Sequence, residues 1–207
     1  MSGYQIVTIE REFASGGSEV GKLVGSRLGV PVYGREILER VAELGHTTAD
    51  YIEHLEESGT NSLLYSLLAM GNTAAGQSPT IASTDALNLA EAKIIRELAG
   101  HGRCVLVGRC SGWVLRQRKD VLNVFIHAGI DYRLRRAVEV YGIAENQAEG
   151  VLKRFDRRRS SFYRSNTGKP WHEQNGYHMM LESGLLGTET CADIIASLVE
   201  KSRSAGE

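Results

Sequence analysis

The chain has 207 residues, of which 42% are hydrophobic and 24% charged, and its formal net charge is −1. This composition suits a globular chain with a substantial core, and the overall charge argues against binding to nucleic acid or to a membrane surface. No apolar run approaches the roughly 20 residues of a membrane-spanning helix, and three cysteines without metal-type spacing indicate reduced thiols in a cytoplasmic protein. We expect one domain over residues 1–207.

The first part of the chain predicts a strand, a helix and a second strand. Residues 4–9 (YQIVTI) are apolar and β-branched, which suits a buried strand. After a turn of glycines and serines, one stripe of a helix is apolar: Val20, Leu23, Val24 and Leu28. Gly29 and Pro31 should end this helix near Leu28. The following VPVY is a short second strand.

The next segment predicts a flap over about residues 36–84. Residues 36–57 have a charged helical pattern, whereas residues 58–84 are rich in small polar residues around one apolar island, LLYSLLAM. This arrangement is typical of a helix between mobile connections. An amphipathic helix then follows, with four residues on its apolar face: Leu87, Ala90, Ile94 and Leu98.

The second half of the chain continues the alternation of strands and helices. RCVLVG and VLNVFI read as strands buried on both faces. A helix ended by Gly142 follows, with an apolar stripe of Ile130, Leu134, Ala137, Val138 and Tyr141. A strongly basic helix, the strand YHMML and a helix over residues 188–201 complete the chain. The alternation predicts a parallel sheet covered by helices on both faces.

Gly16 to Lys22 matches the first seven places of the phosphate-loop pattern G-x-x-x-x-G-K-[ST], but Leu23 lacks the hydroxyl of the eighth place. At about 100° per residue, Lys22 points away from the apolar stripe and hence from the sheet. A phosphate-loop lysine lies instead at the start of its helix. We therefore interpret the match as coincidental and expect Lys22→Ala to have little effect on nucleotide binding.

A shifted register starts the helix at Ser18, which is then a candidate N-cap and Mg²⁺ ligand. Gly16 and Gly17 let backbone N–H groups curl around an anion without interference from a Cβ. The lysine position becomes Gly17, so positive charge for the phosphates has to come from Arg11 or from the basic segment. The alternative is a plain turn that only connects strand and helix.

The basic segment lies between Arg133 and Arg164. Three of its arginines fall at i, i+3 and i+4 of the predicted helix: Arg154, Arg157 and Arg158. The arginine fork suits phosphate oxygens, so these side chains are candidates to close over a phosphate. Asp156 projects elsewhere and is a candidate to hold an arginine in place. A solvated basic helix is one alternative, and a single-strand nucleic-acid patch with Tyr163, Trp171 and Tyr177 is another.

Arg109 directly follows a predicted buried strand, at the carboxyl edge where ligands bind in open α/β sheets. It is a candidate ligand contact, and the competing interpretation is a structural ion pair with Asp85 or Glu91. Cys110 lies beside it, although a lone thiol is more often a small apolar filler than a nucleophile. The six histidines show no metal-type spacing.

Four blocks in this order resemble the cytidylate kinase-like family, a group of P-loop nucleoside monophosphate kinases: VTIEREFASGGSEVGKLVGSRLGVPVYGREIL, VLVGRCSGWVLRQRKDVLNVFIHA, RFDRRRSSFYRSNTGKPW and YHMMLESGLLG. The resemblance covers nearly the whole chain. It implies a three-layer α/β/α P-loop NTPase fold with a five-stranded parallel sheet. It also implies a helical flap for the nucleoside phosphate and a mobile basic lid at about residues 153–172.

The resemblance carries several residues over. Residues 15–18 match the end of the phosphate loop in the shifted register. The third strand of cytidylate kinases ends in a G-R-D motif that helps hold the acceptor nucleotide, and Gly108-Arg109-Cys110 stands here in its place. The R-D-x-R-D-R-like lid, whose arginines contact the phosphates in transfer, resembles residues 154–159. The sequence departs from the family pattern at two positions: the lysine of the phosphate loop is missing, and Cys110 replaces the acidic residue after Arg109.

The sequence thus predicts a phosphotransferase that uses ATP and Mg²⁺ and acts on (d)CMP or another small phosphorylated acceptor. The expected cofactor contacts are Arg11, Ser15, Gly16, Gly17 and Ser18, and Ser18 is also the expected metal ligand. Arg109 and Cys110 are expected to bind the acceptor. Arg154, Arg157 and Arg158 are the expected catalytic residues. The competing hypothesis is a catalytically inactive nucleotide sensor with a kinase fold, and an RNA-binding protein is a third. We expect a small-molecule nucleotide partner, no nucleic acid and no membrane, with a homo-oligomer left open.

Overall fold

A computed structural model describes residues 3–44, 48–49 and 84–204. Most of the predicted flap, including the helix expected within residues 58–84, lies outside the described residues.

The sheet has five parallel strands in the order β2-β3-β1-β4-β5. They are β1 (Ile6–Arg11), β2 (Val32–Tyr33), β3 (Cys104–Val107), β4 (Val121–His127) and β5 (Met179–Glu182). All five correspond to strands predicted from the sequence, although β5 begins at Met179 and not at Tyr177. β1 lies at the centre: the chain runs from β1 to β2 at one edge and later crosses from β3 to β4 on the other side of β1. Open α/β sheets bind ligands at the carboxyl ends of strands where the order reverses in this way.

The helices of the described ranges are α1 (Gly17–Leu28), α2 (Arg35–Leu44), α3 (Thr84–Gly100), α4 (Ser111–Val114), α5 (Ile130–Glu139), α6 (Glu145–Thr167), α7 (Ser183–Leu186) and α8 (Thr188–Ser204). Within those ranges, none of them combines the length and the apolar character that crossing a membrane requires. The chain connects its parallel strands through helices on both faces, as expected for right-handed crossovers.

Alternation along β1 divides the core between the two faces of the sheet. Ile6 packs with the apolar residues of α2 and α3, such as Ile37 and Ile95. Val7 and Ile9 lie in the cluster that contains the inner residues of α1 and α8. These two apolar layers produce the three-layer α/β/α arrangement that the sequence predicted.

The apolar stripe predicted for α5 is wrong in part. Ile130, Val138 and Tyr141 are exposed, and the helix ends at Glu139 and not beside Gly142. The buried residues of α5 are Arg133 and Ala137. A buried arginine needs polar partners, and those partners come from the loop after β1, as described below.

Candidate functional site

The loop between β1 and α1 turns through Gly16, whose φ of +80° precedes the helix. The helix begins at Gly17, so the prediction that Ser18 is its N-cap is wrong. Gly16 is the N-cap and makes no side-chain capping bond, because its left-handed backbone already directs the chain into the helix. Ser18 is exposed in the first turn, where its hydroxyl borders a cavity.

Ser15 is buried and shapes this loop from within. Its Oγ lies 2.9 Å from the carbonyl oxygen of Glu12 and 3.4 Å from the backbone nitrogen of Gly17. Its own carbonyl oxygen accepts a hydrogen bond from Ser183 of α7 at 2.5 Å. The hydroxyl of Ser15 therefore holds the loop in its conformation. The N–H groups in the first turn of α1 have no intrahelical partners, so they are the donors available to a ligand.

A cavity of about 390 Å³ opens over the start of α1. Four predicted cofactor contacts line it: Arg11, Gly16, Gly17 and Ser18. Two arginines that the sequence reasoning did not select line it as well, Arg136 of α5 and Arg159 of α6. Backbone donors at a helix start and several guanidinium groups together form a site for an anion with several oxygens.

The glycine of the coincidental match has a packing role. A Cβ on Gly21 would lie 2.8 Å from Cγ2 of Val107 on β3, so a glycine lets α1 approach the sheet closely. Lys22 next to it is exposed and is one of the residues that line the cavity. Packing thus explains the glycine of the apparent match, while the expected small effect of Lys22→Ala on nucleotide binding stays a prediction.

We expect Gly21→Ala to lower the free energy of unfolding by about 1–2 kcal/mol, because the added methyl forces α1 away from β3 and this outweighs the helix propensity that alanine gains. Lys22→Ala is the matched control on the same helix and should change stability by less than about 0.5 kcal/mol. Urea unfolding of both variants measures the difference. Equal stabilities of the two variants would contradict the packing role of Gly21.

The three predicted lid arginines share one largely exposed face of α6. Arg154 and Arg157 are exposed and Arg158 is half-buried. The guanidinium carbons of Arg154 and Arg158 lie 5.7 Å and 5.5 Å from the ring centre of Phe155. Their role in closing over a phosphate stays a prediction.

Arg159 is the arginine of α6 that lies against the loop. Its Nη1 donates a hydrogen bond to the carbonyl oxygen of Arg11 at 3.0 Å. Burial, followed by the positive charge of Arg11, lowers the pKa of Arg159 to about 9, so the side chain still carries its charge at neutral pH. Two guanidinium groups that repel each other at the border of one cavity are the arrangement that a bound phosphate would stabilise.

A buried ionic network joins the loop to α5 and α6. Arg133 contacts Oε2 of Glu12 at 3.1 Å, donates to the carbonyl oxygen of Phe13 at 2.8 Å and pairs with Asp156. Asp156 also accepts from the N–H of Phe13 at 2.8 Å. The sequence prediction that Asp156 holds an arginine agrees with this contact, although the arginine belongs to α5 and not to the basic helix itself.

Glu10, near the end of β1, holds the segment after α6 in place. Its carboxylate accepts from the backbone N–H of Cys110 at 3.1 Å and from Nε1 of Trp171 at 3.2 Å. Burial raises the pKa of Glu10, against the charge of Arg11 and these hydrogen bonds. Trp171 is 1% exposed and packs edge-on against Phe125. The segment after α6 is therefore anchored below the phosphate loop.

A second cavity of about 180 Å³ lies beyond the end of β3, between α3, α4 and α6. Arg109 borders this cavity and its Nη1 lies 3.4 Å from Oε1 of Glu91, so the structural ion pair named as the competing interpretation is present. Burial raises the pKa of the Glu91 carboxyl above its ordinary value. Cys110 is buried at the same place, and burial raises the pKa of its thiol, which fits a small apolar filler.

Backbone strain is concentrated at the two cavities. In the described part of the chain, the non-glycine residues with positive φ are Ala14, Arg109 and Cys110, at 58°, 59° and 52°. Ala14 borders the larger cavity, and the other two border the smaller one. Strained backbone of this kind clusters at ligand sites, so it supports a functional assignment of both cavities.

The sheet order and the glycine turn between β1 and α1 are those of a P-loop kinase fold. The profile described as the cytidylate kinase-like family matches residues 6–185, and the chain belongs to that family. A search of curated proteins finds no match to this sequence.

Solved structures show the same fold at low sequence identity. An uncharacterized protein from Eubacterium ventriosum has a TM-score of 0.70 at 21% identity, over 94% of this chain and 98% of that chain. Shikimate kinase from Acinetobacter baumannii, solved with shikimate, has a TM-score of 0.53 at 14% identity, covering 96% and 94%. Shikimate kinase from Bacteroides thetaiotaomicron has the same score and identity, covering 94% and 98%.

Proposed function

We propose that the protein is a phosphotransferase that uses ATP and Mg²⁺ and transfers a phosphoryl group to a nucleoside monophosphate, with (d)CMP as the first acceptor to test. The observation that supports this most directly is the larger cavity, where the start of α1 and the guanidinium groups of Arg11, Arg136 and Arg159 surround one space. Phosphoryl transfer depends mainly on positioning and on neutralising charge, and this cavity offers groups for both.

The smaller cavity supports an acceptor that carries both a phosphate and a flat ring. Arginines and aromatic residues line it together, namely Arg96, Arg109, Arg116, Trp113 and Phe162. Guanidinium groups suit phosphate oxygens, and aromatic faces suit a base. In the proposal Arg109 contacts the acceptor while Glu91 orients its side chain, and Cys110 supports the turn from below.

Both cavities are lined by residues at or just after the carboxyl end of a strand, with Arg11 of β1 at the larger cavity and Arg109 after β3 at the smaller one. In the proposal, N–H groups at the start of α1 and the side chain of Ser18 bind the donor phosphates. Arg159 neutralises charge on the transferring group, and Arg154, Arg157 and Arg158 approach from the outer side of α6. Closure over the site excludes water, which would otherwise compete with the acceptor.

The residues at the larger cavity fit a magnesium ion. Mg²⁺ binds through one or two protein oxygens while phosphates and water complete its coordination. Ser18 is exposed and lines the cavity, so its hydroxyl would hold the ion, whereas the carboxylate of Glu12 is already paired with Arg133. When bound, Mg²⁺ neutralises charge on the donor phosphates.

A coupled assay of ADP release tests the proposal across nucleoside monophosphates, with shikimate as a comparison acceptor because two structural neighbours are shikimate kinases. We expect turnover to require Mg²⁺ and to be stimulated at least about 10-fold by one nucleoside monophosphate, consistent with an acceptor site that assembles on binding. ATP should also raise the melting temperature, since a ligand that binds the native state stabilises it.

The outcomes separate the competing hypotheses. Stabilisation by ATP without turnover on any acceptor would replace the proposal with the nucleotide sensor. Turnover with shikimate alone would preserve the phosphotransferase and overturn the nucleotide acceptor. Retention on single-stranded RNA that falls steeply with salt, without any effect of ATP, would favour the RNA-binding hypothesis.

A further inference from the structure

Two positions of the phosphate loop depart from the pattern together. With Ser18 on the last place of G-x-x-x-x-G-K-[ST], the first glycine of the pattern falls on Arg11 and the lysine falls on Gly17. The cation is therefore missing where the pattern has it and present where the pattern has a glycine.

The backbone explains why the two departures belong together. A Cβ on residue 17 would lie 2.4 Å from Cβ and 2.9 Å from Cγ of Arg11, and 3.2 Å from Cβ of Ile126. Carbon atoms in contact lie about 3.5–4.0 Å apart, and a Cβ cannot rotate away. In this loop a side chain at position 11 thus excludes one at position 17.

The guanidinium of Arg11 extends from the loop toward the acceptor side. A Cβ on Gly108 would lie only 2.0 Å from Nη1 of Arg11, so the guanidinium passes directly over this glycine. Gly108 precedes Arg109 and Cys110, which border the smaller cavity, whereas Arg11 itself borders the larger one. The group thus lies between the proposed donor and acceptor.

We propose that Arg11 replaces the phosphate-loop lysine and that its guanidinium binds the terminal phosphate of the nucleoside triphosphate. Gly17 is a glycine because the side chain of Arg11 occupies the space beside it. This inference rests on the proposed function, since it assigns a ligand contact within the same donor site.

Four proteins test whether Arg11 takes the place of the phosphate-loop lysine: the wild type, Arg11→Gly, Gly17→Lys, and the double variant Arg11→Gly with Gly17→Lys. Calorimetric titration with ATP and with ADP measures binding, independently of turnover. We expect Arg11→Gly to weaken ATP binding at least about 10-fold and ADP binding less than about 3-fold, because only ATP carries the terminal phosphate. Gly17→Lys alone should lower the melting temperature because of the clash. The double variant removes the two shortest contacts, those with Arg11, and returns an ammonium group, so it should bind ATP within about 3-fold of the wild type.

A second pair of variants moves the guanidinium without removing it. Gly108→Ala places a methyl group on Nη1 of Arg11 at a φ of +79°, and should weaken ATP binding. Gly29→Ala is the control for backbone strain, since its φ is +61° and nothing lies within 4 Å of the added Cβ. It should leave ATP binding unchanged. This pair tests the inference even where Gly17→Lys does not fold.

Several results would overturn the inference. One is an Arg11→Gly variant that binds ATP as tightly as the wild type, and another is a folded double variant that binds ATP no better than Arg11→Gly. Equal ATP affinities of Gly108→Ala and Gly29→Ala would also overturn it. A wild type that binds ATP but transfers no phosphate would overturn the proposed function alone, whereas a wild type that binds no ATP would overturn both.

Discussion

Arg133→Met should lower the free energy of unfolding by about 3–5 kcal/mol, because it leaves two half-buried carboxylates without the buried cation that they share. Arg133 is 6% exposed and is held between Glu12 of the loop and Asp156 of α6. Methionine fills much of the same volume, so the loss reflects the missing ion pairs and hydrogen bonds and not a cavity. Urea unfolding at neutral pH measures the effect.

The matched control is Arg135→Met, two residues along α5, where the arginine is exposed. This substitution should change stability by less than about 0.5 kcal/mol. Equal effects of the two substitutions would contradict the network, since they would show that Arg133 contributes no more than a surface charge.

The penalty of Arg133→Met should shrink in acid. Burial opposes ionisation of Glu12, but the His172 hydrogen bond, the charge of Arg133 and the Ala128 N–H together hold the pKa of Glu12 below its ordinary value of 4.5. A depressed carboxyl pKa contributes stability that is present above the unfolded value and is lost as the pH falls through the native value. Unfolding curves of wild type and variant should therefore converge progressively as the pH falls below 4.5.

The sequence was sufficient to predict the sheet and the helix α1. The strands are continuous apolar runs, and alternation of strands with helices has one common structural solution, a parallel sheet covered on both faces. In α1 the stripe at Val20 and Val24 is buried as predicted. The start of the helix was misplaced by one residue, because a left-handed glycine can initiate a helix without the side-chain cap that Ser18 was expected to provide.

The ionic network could not be found from periodicity. A stripe analysis places apolar residues inside and arginines outside, whereas Arg133 is buried because Glu12 and Asp156 come from two other segments and meet it there. The same limit applies to α6, where i, i+3 and i+4 spacing selected Arg154, Arg157 and Arg158. Spacing shows which residues share a face of a helix, but not which face packs against the loop.

The burial pattern of α6 shows which face of the helix packs against the loop after β1. Leu152 and Tyr163 are buried on this helix and Arg159 lies between them, in contact with the carbonyl oxygen of Arg11. We expect Arg159→Met to lower kcat by about 10²–10³-fold, because it removes positive charge next to the transferring phosphate. Lys153→Met, at an exposed position of the same helix, is the control and should lower kcat by less than about 5-fold.

Stability should respond in the opposite sense to activity. The charged form of Arg159 is disfavoured by burial and by Arg11, as the lowered pKa shows, so a neutral side chain of similar size should leave the free energy of unfolding unchanged or raise it. A residue that costs stability but supports turnover is typical of a ligand site. A large loss of stability in Arg159→Met would make Arg159 a structural residue. A greater loss of kcat in Arg157→Met would instead support the outer face of α6 as the face that meets the phosphates.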